Sequence, residues 1–355
     1  MTRILSINPG STSTKLGLYE NEHTIFKLNI THTASELEPY SSKFEQSNYR
    51  KLLITNILAS RNVPLSSIST IVGRGGLVHP LPSGVYEVNA KLLNDLLYNT
   101  KGEHASNLGG IIAHMLASEI ENCKAYIADP VVVDEMQDIA RISGLPFMPR
   151  RSQFHALNHK AMARKYAQSQ NTDYEHLNLI IAHMGGGISV AAHKHGKVID
   201  LNQGLDGYGP LSPERAGTLD AGQLVQLCFS GKYTESEINS LLAGHGGLSA
   251  HLETNDVKEI SKRIENGDKH AKLILEAMAY TIVKEIGAMY AILEGKVDAT
   301  ILTGGVAHSQ FVTSYIENMI SGFTKVVIYP GEDELEALAL AGLRILRGEQ
   351  PLVYT

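Results

Sequence analysis

The stretch Ile4-Leu5-Ser6-Ile7-Asn8-Pro9-Gly10-Ser11-Thr12-Ser13-Thr14-Lys15-Leu16-Gly17-Leu18-Tyr19 reads as strand, tight polar turn, strand. Pro-Gly punctuates the turn, and β-branched and alternating residues flank it. Thr24 to Ile30 reads as a third strand. The same order returns later in the chain. Asn178–Ala182 is an apolar strand, and His183-Met184-Gly185-Gly186-Gly187 is a small-residue turn. Ile188–Ala192 is the return strand, and Val198-Ile199-Asp200 starts a third. A unit that occurs twice predicts two domains of similar topology.

Outward from these units, strands and helices alternate. Residues 49 to 61 have helical spacing, and Ile68–Val72 is a strand running into Gly73-Arg74-Gly75-Gly76. A helix is expected after Asn107, and Ala125–Ala128 is a strand ending at Asp129-Pro130. Helical patterns cover 256 to 266 and 268 to 294. Ala299–Thr303 opens onto Gly304-Gly305, Lys325–Tyr329 ends at Pro330-Gly331, and a helix from Asp333 to Arg347 closes the chain. This alternation predicts an α/β class. The expected domains are 1–149 with 331–355 folding back, and 150–330. Pro146 to Arg151 is the expected hinge, since proline restricts itself and its neighbour.

Composition excludes several classes. The chain has 355 residues, 43% of them hydrophobic and 19% charged, which rules out wholesale disorder. At roughly 150 residues per domain, that length also predicts two or three domains. Acidic residues outnumber basic ones 37 to 31, so no chain-wide nucleic-acid surface is expected. Cys123 and Cys228 lie too far apart in sequence for metal-ligand spacing or a disulfide framework. No apolar run is long enough for a membrane span or, at the N-terminus, a signal peptide, so a cytoplasmic location is expected.

Four segments could carry chemistry. Asn8 to Lys15 offers small residues, hydroxyls and a lysine to an anion, or is a polar hairpin tip. His183 with Gly185-Gly186-Gly187 marks close backbone approach to a ligand, or a glycine-tolerant turn. Gly304-Gly305 ends a strand where α/β folds bind nucleotides. Arg74 and Arg215 suit the oxygens of a transferring phosphoryl group, or are surface ion pairs. Asp129 and the run Glu332-Asp333-Glu334 suit Mg²⁺.

The order of these segments resembles the acetate kinase/butyrate kinase family, within the actin–hexokinase–Hsp70-type superfamily. The resemblance covers essentially the whole chain. Asn8-Pro9-Gly10-Ser11-Thr12-Ser13-Thr14-Lys15, Asp129-Pro130-Val131-Val132-Val133-Asp134-Glu135, His183-Met184-Gly185-Gly186-Gly187 and Gly209-Pro210-Leu211-Ser212-Pro213-Glu214-Arg215-Ala216-Gly217 are similar to its butyrate kinase branch. The resemblance implies two duplicated ribonuclease H-like (actin-like ATPase) domains around a nucleotide cleft. It implies ATP/ADP and Mg²⁺, a short-chain carboxylate and its acyl phosphate, in-line phosphoryl transfer, and a homodimer or larger homo-oligomer.

By the same resemblance, Asn8, Ser13 and Lys15 belong to the first phosphate segment, with Gly185, Gly186 and Gly187 beside the phosphates. Arg74 and Arg215 bind the carboxylate and the moving phosphoryl group. His104 and His183 are the active-site histidines, and His183 stabilises the transition state. Asp129 lies near the Mg²⁺ water shell, and Gly304-Gly305 meets adenosine. Glu334 matches the Mg²⁺ carboxylate, with Glu332 and Asp333 beside it as alternatives. One departure stands out: Gly76 replaces a branched aliphatic residue that lines the acetate methyl pocket in acetate kinases. An opened pocket is the expected consequence, with preference for butanoate or a branched short acid. A kinase acting on a hydroxyl, with Asp129 as base, and a regulatory ATPase are the rival classes.

Overall fold

The computed structural model describes residues 2–40, 42, 45–98, 105–205 and 207–355. The chain divides into two compact units, Met1–Val133 with Asp333–Thr355, and Asp134–Glu332. Among the described residues no helix is long and apolar enough to cross a membrane.

The first unit is built on β1 (Arg3–Pro9), β2 (Ser13–Glu20), β3 (His23–Thr31), β4 (Thr70–Arg74), β5 (Val85–Glu87) and β6 (Lys124–Ala128). Their order across the sheet is β3-β2-β1-β4-β6-β5. β1, β2 and β3 form an antiparallel meander, while β4 and β6 run parallel to β1. Parallel strands covered on both faces need apolar side chains on both, and Ile4, Leu5, Ile7, Ile71 and Val72 are all buried. The helix Glu334–Leu346 lies on one face, with Gly342 close to Val72 and Ile4. The opposite face takes the helix Asn107–Ala117. There a Cβ on Gly73 would stand 2.1 Å from the Gly109 carbonyl oxygen, so glycine backbones are in direct contact.

The second unit repeats the plan with β7 (Asn178–Met184), β8 (Ile188–Lys194), β9 (Lys197–Leu201), β10 (Ala299–Gly304) and β11 (Val326–Pro330). Its order, β9-β8-β7-β10-β11, matches β3-β2-β1-β4-β6 strand for strand and direction for direction. The twofold pattern in the sequence is therefore a duplicated topology. Side chains alternate along β7 as the pleat requires. Ile180 and Ala182 pack with Leu275, Met278 and Ile282 of the helix Lys269–Ile292. Leu179 and Ile181 pack with Ala163 and Tyr166 of the helix Ala156–Ser169. Each such buried Leu or Ile contributes about 1.5–3 kcal/mol.

Three expectations shift. The division falls at Val133/Asp134, ahead of residue 149, because the segment after Val133 is tied to the second unit. Lys160 bonds Glu135 at 2.6 Å, and the Gln137 N–H donates to the Ile199 carbonyl at 3.1 Å. Pro146 to Arg151, the expected hinge, also lies inside this unit. The Arg150 guanidinium donates to the Ala140 carbonyl, to Asp200 and to the Leu201 carbonyl, and lies over the Tyr208 ring. A segment anchored at so many points is no hinge. The opening turn also sits later than Asn8-Pro9-Gly10 predicts: β1 runs to Pro9, and Asn8 pairs opposite Lys15.

Candidate functional site

In the first unit the carboxyl ends of β1 and β4 lie side by side, because Ile7 pairs with Gly73 in parallel register. Asn8 and Arg74 follow directly. Arg74 Nη2 lies 3.2 Å from Glu334 Oε1, and Nη1 lies 3.3 Å from both Glu334 Oε2 and Asn8 Oδ1. The Asn8 amide donates to Glu334. Lys15 is exposed on β2 directly across from Asn8. Cross-strand partners share a face, so Lys15 leaves the sheet on the same side as Asn8. Carboxyl ends of parallel strands are where α/β sheets take ligands.

Geometry separates the three acids. Asp333 pairs with Lys27 and accepts the Glu336 N–H at 3.0 Å, capping the last helix. Glu332 lies 3.3 Å from His183 Nε2. Glu334 alone of the three bonds Asn8 and Arg74. Asp129 is buried after β6 with a left-handed backbone, φ 39°. Its Oδ1 accepts the Gly84 N–H at 2.8 Å, and its own N–H donates to the Gly84 carbonyl at 3.0 Å. His104 lies outside the described residues.

Gly75 and Gly76 do not open a pocket. A Cβ on Gly76 would stand 2.2 Å from Asn107 Oδ1 and 2.6 Å from Asn107 Cα; one on Gly75 would stand 2.4 Å from Pro130 Cβ. Asn107 is fixed there, accepting the Leu77 N–H at 2.8 Å and donating to the Leu96 carbonyl at 3.1 Å. The space freed by the missing side chain is filled by the protein itself. Gly76→Val is therefore expected to lower thermal stability and kcat/KM for every carboxylate together. A selective gain for acetate in a substrate panel would contradict this packing.

In the second unit His183 is the penultimate residue of β7, fully enclosed. Its Nδ1 bonds Asn158 Oδ1 at 2.9 Å, and the His155 ring stacks on it at 4.0 Å. An amide oxygen only accepts, so Nδ1 carries the hydrogen and Nε2 faces Glu332. Behind this pair runs a chain of polar groups. Ser189 Oγ bonds His155 Nδ1 at 3.0 Å and His159 Nε2 at 2.9 Å. His159 Nδ1 meets His193 Nε2 at 3.1 Å, and His193 meets the Tyr174 hydroxyl at 2.6 Å. Burial holds His159 and His193 well below the ordinary histidine value, so both stay neutral.

Arg215 is carried to the same turn by its loop. Ser212 donates from Oγ to the Gly186 carbonyl at 2.7 Å and accepts the Arg215 N–H at 3.1 Å. The Glu214 N–H donates to the Gly186 carbonyl at 3.0 Å. A Cβ on Gly187 would stand 2.0 Å from Arg215 Nη1 and 2.2 Å from Cζ. The guanidinium thus lies on bare backbone, and Gly187 serves Arg215 rather than open ligand space. A Cβ on Gly186 would meet Glu214 Oε2 at 2.9 Å and one on Gly185 would meet His183 Nε2 at 3.1 Å, yet both glycines line a pocket. With Lys258, Gly305, Phe311 and Glu332 they border a cavity of about 1320 Å³. Gly305 has nothing within 4 Å of its Cβ position. Gly304 has φ 90° and its Cβ would meet the Met184 carbonyl oxygen at 2.4 Å, so it closes β10 against β7.

Sequence reasoning passed over Asn158, His155, the histidine chain and a buried arginine, Arg50. Asn158 and its neighbours sit on a helix whose buried face includes Asn158, His159 and Lys160. Polar residues there erase the apolar period. Arg50 left one signal: it interrupts the buried stripe Gln46, Ser47, Arg50, Ile54, Leu58 of the helix Gln46–Ser60.

The acetokinase family pattern matches residues 144–327. Butyrate kinase 2 of Clostridium acetobutylicum is 51% identical over 348 residues, 98% of either chain. A probable butyrate kinase of Bacteroides thetaiotaomicron is 51% identical over 350 residues, 99% of either chain. The crystal structure of Porphyromonas gingivalis acetate kinase superposes with TM-score 0.78 at 20% identity, covering 98% of this chain and 100% of that one. A propionate kinase from Francisella tularensis superposes with TM-score 0.76 at 20% identity, covering 96% and 99%. At such identity the two solved structures speak for the fold, the duplicated actin-like ATPase architecture. Half of the residues are shared with butyrate kinases along nearly the whole chain, and the family pattern spans the second unit; this chain belongs to the acetokinase family.

Proposed function

We propose that this chain is a short-chain acyl kinase. It transfers the γ-phosphoryl group of ATP in line to a short-chain carboxylate, butanoate first, giving ADP and the acyl phosphate, and runs in both directions. The observation that carries the reading is the fixed cation at each strand end. Arg74 is held by Glu334 and Asn8 at the end of β4, and Arg215 is seated on Gly187 at the end of β7. A carboxylate is already ionised at neutral pH, so the reaction needs charge neutralised more than a proton removed. Butanoate as first substrate rests on the butyrate kinase relatives. Gly76, packed against Asn107, opens no room that would favour it.

Each residue then has a task. Arg74 binds the acyl carboxylate. Asn8, Ser13 and Lys15 hold the phosphoryl group from the first unit. Arg215 meets the charge that develops on its equatorial oxygens, and His183 donates to them when Nε2 carries a proton as well as Nδ1. Gly185, Gly186 and Gly305 border the nucleotide's cavity, which has room for a nucleoside triphosphate. Among the described residues no three His, Cys, Asp or Glu gather into a ready metal site. Mg²⁺ does not require one, since it keeps waters and takes one or two carboxylates with phosphate oxygens. Glu334 and Asn8 Oδ1 would offer hard oxygen donors of that kind, and Asp129 would meet the ion's water shell. When bound, the ion neutralises phosphate charge. The reading places the enzyme in the cytoplasm, as a homodimer or larger homo-oligomer.

Purified protein incubated with ATP, Mg²⁺, butanoate and hydroxylamine is expected to yield the hydroxamate of the trapped acyl phosphate. Across acetate, propionate, butanoate, isobutanoate and isovalerate, kcat/KM is expected to be lowest for acetate. No hydroxamate with any acid overturns the kinase reading. A preference for acetate overturns the butanoate assignment alone.

A further inference from the structure

The turn between β1 and β2 has an unusual interior. Arg50 is 1% exposed, yet no carboxylate among the described residues pairs with it. Its partners are neutral oxygens. Nη1 donates to the Gly10 carbonyl at 2.9 Å, the Ser13 carbonyl at 2.8 Å and Thr14 Oγ1 at 3.1 Å. Nη2 donates to the Ser11 carbonyl at 3.1 Å and to Gln46 Oε1 at 2.9 Å. The remaining carbonyl of the turn, that of Thr12, accepts the His32 N–H at 2.8 Å. Thr14 Oγ1, already accepting from Arg50, lies 2.8 Å from His32 Nε2.

Every carbonyl from Gly10 to Ser13 is thus engaged by groups within the protein. The N–H groups of Ser11 and Thr12 have no acceptor among the described residues, and both residues are exposed. A turn with its oxygens drawn in and its N–H groups and hydroxyls left out is a donor surface. The positive charge behind it pairs with no carboxylate among the described residues, so the field at that surface favours an anion. A planar guanidinium with a fan of donors suits this task. An ammonium offers three donors from a single point rather than from a planar fork.

We propose that Arg50 is the positioning residue of the phosphoryl-binding turn, shaping Gly10–Thr14 into a donor-only cradle and lending it an unneutralised positive charge. The inference rests on the acyl-kinase reading above. Arg50 does not touch the substrate. It acts through the turn, and through the phosphoryl group rather than the carboxylate, whose partner is Arg74.

Gln46→Glu tests the charge without removing the clamp. The new carboxylate keeps the bond to Nη2 and neutralises the guanidinium. KM for ATP and for the acyl phosphate are expected to rise by about fivefold or more, with KM for butanoate within about twofold and the melting temperature equal or higher. A merely structural arginine predicts unchanged KM values in this variant, because a buried ion pair leaves its scaffold intact. Arg50→Lys keeps the charge and loses the fan, and is expected to raise the same two constants by about tenfold with KM for butanoate again spared. If Arg50→Lys does not fold, Gln46→Glu decides alone. Unchanged constants for ATP and acyl phosphate, equal rises in all three, or insoluble Gln46→Glu protein overturns the proposal. Hydroxamate formation by the unaltered protein tests the kinase reading separately, so failure of one is distinguishable from failure of the other.

Discussion

Arg215→Ala is expected to lower kcat by about a thousandfold or more while leaving the melting temperature almost unchanged. The guanidinium lies on the backbone of Gly187, in the turn that joins β7 to β8. Its loop is fixed by backbone and hydroxyl bonds that do not involve the guanidinium, the Ser212 and Glu214 bonds to the Gly186 carbonyl among them. Truncation at Cβ therefore removes charge and donors without unpinning the loop. A companion substitution reaches the same group from beneath. Gly187→Ala puts a methyl where the guanidinium now lies, so Arg215 must leave its position. Loss of kcat comparable to that of Arg215→Ala is expected, with the arginine still present. Steady-state kinetics and thermal unfolding of both variants check this. Near-normal turnover in Arg215→Ala would remove it from the reaction.

The second large effect concerns stability. Lys160 is fully buried and donates to Glu135 at 2.6 Å and to the Gly196 carbonyl at 2.8 Å. Glu135 also accepts the Val198 N–H at 2.9 Å. The pair ties the first residues of the second unit to the β8–β9 hairpin. Lys160→Met leaves a carboxylate enclosed without its cation, which costs about 3–5 kcal/mol. Adding Glu135→Gln removes the stranded charge and keeps an oxygen for Val198. The double variant is expected to regain most of the lost stability. Urea unfolding of the two variants measures this. A loss below about 1 kcal/mol in Lys160→Met would place the pair with solvent-screened ion pairs.

Much of this molecule is local, and so was readable in order along the chain. Short apolar runs broken by polar or glycine turns mark β1–β2 and β7–β8, and strand and turn preferences need no distant information to show them. Repetition of that pattern was enough to expect a duplicated sheet. The motif residues Asn8, Arg74, His183 and Arg215 also stood out, because they sit in turns or strand ends punctuated by glycine and proline.

What stayed hidden depended on partners far away in sequence. Three adjacent acids look alike until folding sends Glu332 to His183, Asp333 to a helix cap and Glu334 to Arg74. The helix Ala156–Ser169 carries Asn158 and Lys160 inward, and a polar buried face has no hydrophobic period to detect. A glycine shows in sequence only as a missing side chain. Tertiary structure alone decided that Asn107 fills the space at Gly76 and Arg215 the space at Gly187, because steric room belongs to the neighbours and not to the residue itself.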